Sequence, residues 1–332
     1  MASRGVETIR ANEVVPDLRG TALVQRGGAD VLRHAGGTTG GEPDAPIGIE
    51  TRFQIASVSK QFTAAAVLLL VDRGQLSVGD HLVDLLEGSP QAWEGITVHQ
   101  LLCHTAGLVH WPQLPELDLT APVLAEEELE MFRQAPLLSA PGTAYAYSSP
   151  GYVVLARIVE RLSGRRYLDF LADEIFAPLG LRSTFAGNGV GEPDLATPLH
   201  LGEPVPSFEL DVVGMGAGDV WSTVDDLAKW DLALKEGQLL SEESRRKMFS
   251  VHTPVTEEVP GVEFEGYGYA WYMADIAGHS VVFHTGGNAG FQSINATLPE
   301  DDARFIALMN DTSADLVGIA LSLLAVALDW AG

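Results

Sequence analysis

The stretch FQIASVSKQF, from Phe53 to Phe62, is where the chain changes character. Before it, TALVQRGGADVLRHAGG (21–37) holds two short apolar runs about Gly27 and Gly28, the pattern of a β-hairpin. After it, Val58, Phe62, Ala65, Ala66 and Leu69 keep the spacing of a buried helical face, and Gly74 is a natural stop. Ser57 then stands at the helix N-terminus with Lys60 one turn on. Residues at i and i+3 share a face, so the amine can approach the hydroxyl. Unpaired N–H groups and the positive end of the helix dipole favour negative charge developing there. Taken alone, the pair fits equally well a helix cap followed by a solvated lysine.

From roughly residue 71 to 201 the pattern is mainly helical, broken at Pro112, Pro136, Pro141-Gly142, Pro150-Gly151 and Pro178. The last third alternates instead. GYGYAWYMADI (266–276), HSVVFHTGG (279–287), FQSINATLP (291–299) and ARFIALMND (303–311) are strand-like runs separated by short turns, and a closing helix is expected from about Ser313. No internal repeat or low-complexity tract interrupts this order. Strands near both termini with helices between them predict an α+β chain whose antiparallel sheet is flanked by helices. Residues 1–75 and 202–332 are expected to form the sheet-bearing subdomain and 76–201 an inserted, mainly helical one, with the active site in the cleft between them.

Composition narrows the partners. The 332 residues carry 20 Lys plus Arg against 45 Asp plus Glu, a formal charge of −25 that repels phosphate backbones and anionic headgroups. A small-molecule partner is expected, without nucleic acid or membrane; the oligomeric state is open. Cys103 is the only cysteine and reads as a small buried thiol, so no disulfide forms within the chain. The first twenty residues lack the apolar core of a secretory signal, and LVGIALSLLAVAL (316–328) is too short to span a bilayer and reads as a core helix, so a cytoplasmic location is expected. AEEELE (125–130) reads as a solvated helix face. His99, His104 and His110 lack a metal-ligand pattern, and GMGAGD (214–219) lacks the full dinucleotide signature. The tryptophans, Trp330 among them, read mostly as core.

Serine is a poor nucleophile without a base in reach and donors for the oxyanion. Lys60 can serve as the base if burial lowers its pKa. Tyr147 and Ser148, in YAYSSPGYVVLARIVERLSG (145–164), precede an apparent turn at Pro150-Gly151 and an amphipathic helix, and a phenol there can relay protons. HTGGNAG (284–290) ends a strand run, where glycines allow close backbone approach to a substrate.

Together, Ser57-Val58-Ser59-Lys60, Tyr147-Ser148-Ser149 and His284-Thr285-Gly286 resemble the three motifs of serine hydrolases related to class C β-lactamases and penicillin-binding proteins. LLCHTAGL (101–108), IFAPLGLRSTF (175–185), GDVWSTVDDLAKW (218–230) and YGYAWY (267–272) look like further landmarks, so the similarity runs from about Gly20 to Leu328. The resemblance implies the β-lactamase/penicillin-binding-protein fold and a two-step acyl transfer. Ser57 attacks, Lys60 and Tyr147 move its proton, and the N–H groups of Ser57 and Gly287 hold the oxyanion. Ser149, His284, Thr285 and Gly286 are expected to bind substrate, and Trp111, in a Pro-flanked loop, to line the cleft mouth. The chemistry requires no metal or organic cofactor. Ser149 stands where many relatives have Asn, and His284 where β-lactamases usually have Lys. Both departures favour a carboxylesterase or amidase on small acyl compounds. Acyltransferase, D-amino-acid peptidase, β-lactamase and slowly acylated penicillin receptor are the alternatives.

Overall fold

The computed structural model describes residues 14–15, 18–41, 44–114, 116–118, 123, 125–206 and 214–328. The hairpin forms as expected. Strands β1 (Gly20–Arg26) and β2 (Ala29–Gly36) join through Gly27 and Gly28, whose φ values of 56° and 79° are the left-handed pair that a two-residue turn requires. Next come β3 (Phe53–Gln54), α1 (Lys60–Asp72), α2 (Leu82–Leu85), α3 (Val98–Leu102), α4 (Ala125–Gln134), α5 (Ser149–Ser163) and α6 (Tyr167–Leu171). Short strands β4 (Phe185–Ala186), β5 (Leu199–His200), β6 (Glu203–Pro204) and β7 (Val220–Ser222) lead to α7 (Val224–Glu236) and α8 (Glu242–Met248). The meander β8 (Glu263–Tyr267), β9 (Tyr272–Ile276), β10 (His279–Asn288), β11 (Phe291–Leu298) and β12 (Ala303–Met309) follows, and α9 (Leu316–Ala327) closes the chain.

The main sheet is seven-stranded and antiparallel, in the order β2-β1-β12-β11-β10-β9-β8. Its first and last parts meet where β1 pairs with β12, Leu23 opposite Ile306. Alternation along β12 divides the core. Ile306 and Leu308 belong to a cluster with the helices α1, α5 and α7, whereas Phe305, Ala307 and Met309 pack on the other face with Leu323 and Leu324 of α9.

Helix α1 is the central element. The sequence periodicity marks one apolar face, yet every residue from Lys60 to Leu70 is buried. A helix apolar around its whole circumference gains stability only when surrounded on all sides. Buried within it, therefore, is a lysine.

Three sequence expectations change. Pro150-Gly151 is not a turn before α5 but its first turn: the Ser148 hydroxyl caps the helix by accepting from Gly151 N–H at 3.1 Å, and Pro150 sits where no N–H is needed. Helix α9 buries Leu323, Leu324, Val326 and Ala327 but leaves Val317 and Leu321 exposed, so it is a covering helix of the sheet rather than a fully buried one. In AEEELE, Glu126, Glu127 and Glu130 are solvated, but Glu128 is buried beside Arg157, with 3.8 Å between Oε2 and Nη2. Trp93, Trp221, Trp230 and Trp271 are buried as expected, and Trp330 lies outside the described residues.

Candidate active site

The turn carrying Ser57 is fixed from three sides. Strand β3 pairs with β7, Phe53 opposite Ser222, and Ile55 N–H extends the ladder to the Val220 carbonyl at 2.8 Å. A short 3₁₀ turn, Ala56–Ser59, then leads into α1, so Ser57 lies just ahead of the α-helix rather than in its first turn. The Ser59 hydroxyl accepts from Val220 N–H at 3.0 Å, and the Ser293 hydroxyl donates to the Ile55 carbonyl at 2.7 Å. Ala56 is held at φ 49°, a left-handed conformation that non-glycine residues adopt under surrounding constraint.

Against this turn lies β10. Strand β9 pairs with it only from His279 to Phe283, so among the described residues the outer edge beyond Phe283 has no partner strand. A Cβ at Gly286 would collide with the Ile55 carbonyl and the Ser293 hydroxyl and crowd Ala56, so this glycine admits the Ser57 turn. A Cβ at Gly287 would meet open space, and Gly287 is exposed. The two glycines therefore differ: the first serves packing of the turn, and only the second faces outward.

Lys60 Nζ lies 2.9 Å from Ser57 Oγ and donates to the Ala217 carbonyl at 2.7 Å. It sits over the rings of Tyr147 and Tyr152, 5.1 and 5.7 Å from their centroids. Desolvation holds its pKa well below the usual lysine value, against a smaller upward pull from Asp219. Asp219 also accepts from Gly216 N–H at 3.0 Å, and Thr63 donates to the Gly216 carbonyl at 2.6 Å. GMGAGD, set aside as a nucleotide loop, thus forms a wall of the lysine pocket.

Tyr147 hydrogen-bonds with the hydroxyls of Ser57 and Ser149, and burial, opposed by those bonds, keeps its phenol above the ordinary range. An amine with a lowered pKa and a phenol with a raised one therefore flank the serine oxygen. Ser149 N–H reaches His110 Nδ1 at 3.3 Å, and the His110 ring stands edge-on to Tyr147. Trp111 is half-buried behind His110 and packs on Phe132, one ring removed from Tyr147.

His284 differs from its expected place. It is 1% exposed, and both ring nitrogens are engaged, Nε2 with the Tyr267 hydroxyl at 3.0 Å and Nδ1 with the Thr285 carbonyl at 2.6 Å. Burial above all pushes its pKa down to about 3. The imidazole is buried beside the Tyr147 ring, 6.2 Å between centroids, and neutral, so it presents no cation to a substrate. Ser57, Lys60, Tyr147 and Ser149 do come together, with the Thr285–Gly287 segment alongside. Missed from sequence were Ala217, Asp219, His104 and Tyr267, all within quoted stretches. Buried polar residues with long-range partners leave no local pattern.

The Beta-lactamase family model matches residues 14–327. Among curated proteins, penicillin-binding protein 4* of Bacillus subtilis (strain 168) is 29% identical over 83% of this chain and 64% of its own length. Esterase EstB of Burkholderia gladioli is 33% identical over 56% of this chain and 51% of its own. The matches thus span about half to two thirds of the length of these curated relatives. The crystal structure of a penicillin-binding protein from Bacillus halodurans superposes with a TM-score of 0.83 at 25% identity, covering 95% of this chain and 98% of that one. Motif order, fold and family model agree, and the chain belongs to the Beta-lactamase family.

Proposed function

We propose that this chain is a serine hydrolase that opens small carboxylic esters or amides through an acyl-Ser57 intermediate. One observation carries the reading: a fully buried lysine amine, its pKa lowered by desolvation, lies 2.9 Å from a serine hydroxyl in a strained turn. The amine lone pair takes the Ser57 proton as Oγ bonds to the substrate carbonyl carbon. The N–H groups of Ser57 and Gly287 receive the resulting oxyanion. As the bond to the leaving group breaks, the Tyr147 phenol protonates that group and regains its proton from Lys60. Water then reverses the sequence and releases the acid. In this reading the site lies in the cleft between a sheet-bearing subdomain (1–75 and 202–332) and a helical one (76–201).

Ester or amide substrates without a recognised carboxylate fit better than β-lactams. Ser149 offers one short hydroxyl where a longer amide would reach an acylamino group, and His284 is neutral and buried. The name of the Burkholderia gladioli relative, an esterase, supports the same class.

The decisive experiment is intact-protein mass after brief exposure to a short-chain nitrophenyl ester or a chromogenic cephalosporin, with product release followed in parallel and Ser57→Ala as control. Ester turnover with an acyl adduct that disappears in Ser57→Ala is expected. A stable cephalosporin adduct without turnover would point to a penicillin receptor, and turnover independent of Ser57 would remove the mechanism.

A further inference from the structure

Behind Tyr147 lies a polar chain that the acyl-transfer steps do not use. Ser148 N–H lies 3.2 Å from His104 Nδ1, His104 Nε2 lies 3.2 Å from the Tyr267 hydroxyl, and that hydroxyl lies 3.0 Å from His284 Nε2. His284 Nδ1 then meets the Thr285 carbonyl at 2.6 Å. His104, Tyr267 and His284 are all buried, at 1%, 0% and 1% exposure, so water cannot substitute for a missing partner.

We propose that Tyr267 is a positioning residue: its hydroxyl joins two neutral imidazoles of opposite tautomer into a one-way hydrogen-bond chain that ties the Tyr147 loop to the strand edge at Thr285–Gly287. This rests on the acyl-serine reading of the same site.

The direction is fixed independently from each end. A backbone N–H can only donate, so His104 Nδ1 is an acceptor and its proton sits on Nε2, which donates to Tyr267. A carbonyl oxygen can only accept, so His284 carries its proton on Nδ1 and its Nε2 accepts from Tyr267. The two derivations meet at one hydroxyl, which receives from His104 and donates to His284. Protonating either ring would break the match, placing a second N–H against a donor or against the Tyr267 hydroxyl proton. Burial, the largest cause, acts in the same sense, lowering both imidazoles.

Of the other groups around Tyr267, Tyr152 donates its hydroxyl proton to the Leu102 carbonyl at 2.7 Å, and Tyr145 and Tyr272 engage one another at 3.2 Å. Tyr152 also hydrogen-bonds with Tyr267, so its oxygen competes with His284 Nε2 for the Tyr267 proton, and the His284 tautomer decides between them. Tyr147 faces the same cluster and bonds to Ser57 and Ser149. All four phenols are held above their ordinary range by burial, so none adds a charge near neutral pH. At its two ends the chain reaches Ser148, the cap of α5 adjoining Tyr147, and Thr285, two residues before Gly287. His104 is itself held at φ 58°, so its loop conformation depends on such anchoring.

The test is a long-range proton–nitrogen NMR correlation on the whole protein at neutral pH, which reads tautomers without any substitution. His104 should carry its proton on Nε2 and His284 on Nδ1, both neutral. The same tautomer at both, or an imidazolium at either, would overturn the proposal. Tyr267→Phe should still be acylated at Ser57, with kcat lowered roughly tenfold and KM changed far less, because one buried donor and one acceptor lose their partner. His284→Gln, whose amide supplies both a donor and an acceptor, should retain more activity than His284→Leu. Equal kcat in Tyr267→Phe and wild type, or equal loss in both His284 variants, would also overturn it. Absence of any Ser57 adduct in the wild type would instead refute the hydrolase reading while leaving the tautomer result standing.

Discussion

Lys60 Nζ stands 2.9 Å from Ser57 Oγ on a helix whose surroundings exclude water, and this pairing sets the protonation state on which the proposed chemistry depends. In solution the same amine would be an ammonium at neutral pH and unable to accept a proton. Desolvation works against that charge, and the Ala217 carbonyl takes one N–H, so that in the neutral amine the lone pair can turn to the serine.

The first prediction concerns pH. Because the base must be neutral, kcat/KM should fall as pH drops through the depressed Lys60 pKa, well below the usual lysine range. Asp219 pulls that pKa upward, so Asp219→Asn should move the acid limb to lower pH while still accepting from Gly216. A pH–rate profile checks the sign; a limb that moves upward would contradict the role of Lys60. Ser57→Ala should lose activity by a factor on the order of 10⁴ or more with its melting temperature nearly unchanged.

A second prediction separates two adjacent glycines. Gly286→Ala drives a methyl group into the Ile55 carbonyl and should displace the Ser57 turn, lowering stability by about 1–3 kcal/mol and largely abolishing turnover. Gly287→Ala adds the same methyl where nothing stands and should fold normally, altering KM more than melting temperature. Chemical denaturation and steady-state kinetics on the pair would show whether the asymmetry holds.

Glu128 supplies a third. Burial pushes its carboxyl up to about 8 from 4.5, with Arg157 only partly opposing the shift. Its folded pKa is raised, so the folded state holds a proton that the unfolded chain has lost between those values. Stability therefore declines as pH rises across that window. Glu128→Gln should be more stable than wild type at pH 8, by on the order of 1–3 kcal/mol, and the gain should vanish toward pH 4.5. Urea denaturation at the two pH values measures it; a gain independent of pH would mean that Glu128 is not the titrating group.

Cys103 gives a fourth. Burial pushes the thiol up to about 11, and the side chain is fully enclosed. A thiol-specific disulfide reagent should leave it unlabelled in the folded protein and label it on denaturation. Rapid labelling under native conditions would reveal opening of the α3 region.

Legibility in the sequence followed the range of the interactions. The β1–β2 hairpin and the β9–β12 part of the meander are written locally, in glycine turns and period-two alternation, and were readable in the sequence, whereas the run read as one strand over 266–276 is the end of β8, a turn and β9. So was the spacing of Ser57 and Lys60, because both lie within one turn. What escaped reading joins residues far apart: Lys60 to Ala217, Ser148 to His104, Tyr267 to His284. The burial of His284 was not legible because a strand pattern tells which residues alternate but not which of them are enclosed by side chains from distant segments. Pro150-Gly151 misled because a proline that ends one helix is welcome in the first turn of another.

Helix α1, enclosed over its length from Lys60 to Leu70, also bears on how the protein fails. Amide exchange is slowest where opening demands loss of the whole core, and this segment meets that condition. The Lys60 amine consequently rides on the part of the molecule that gives way last, while solvent-facing elements such as α9 loosen earlier. Heating should thus leave the base and its neighbour in register until the cooperative transition itself, so catalytic inactivation and global unfolding should trace a single curve.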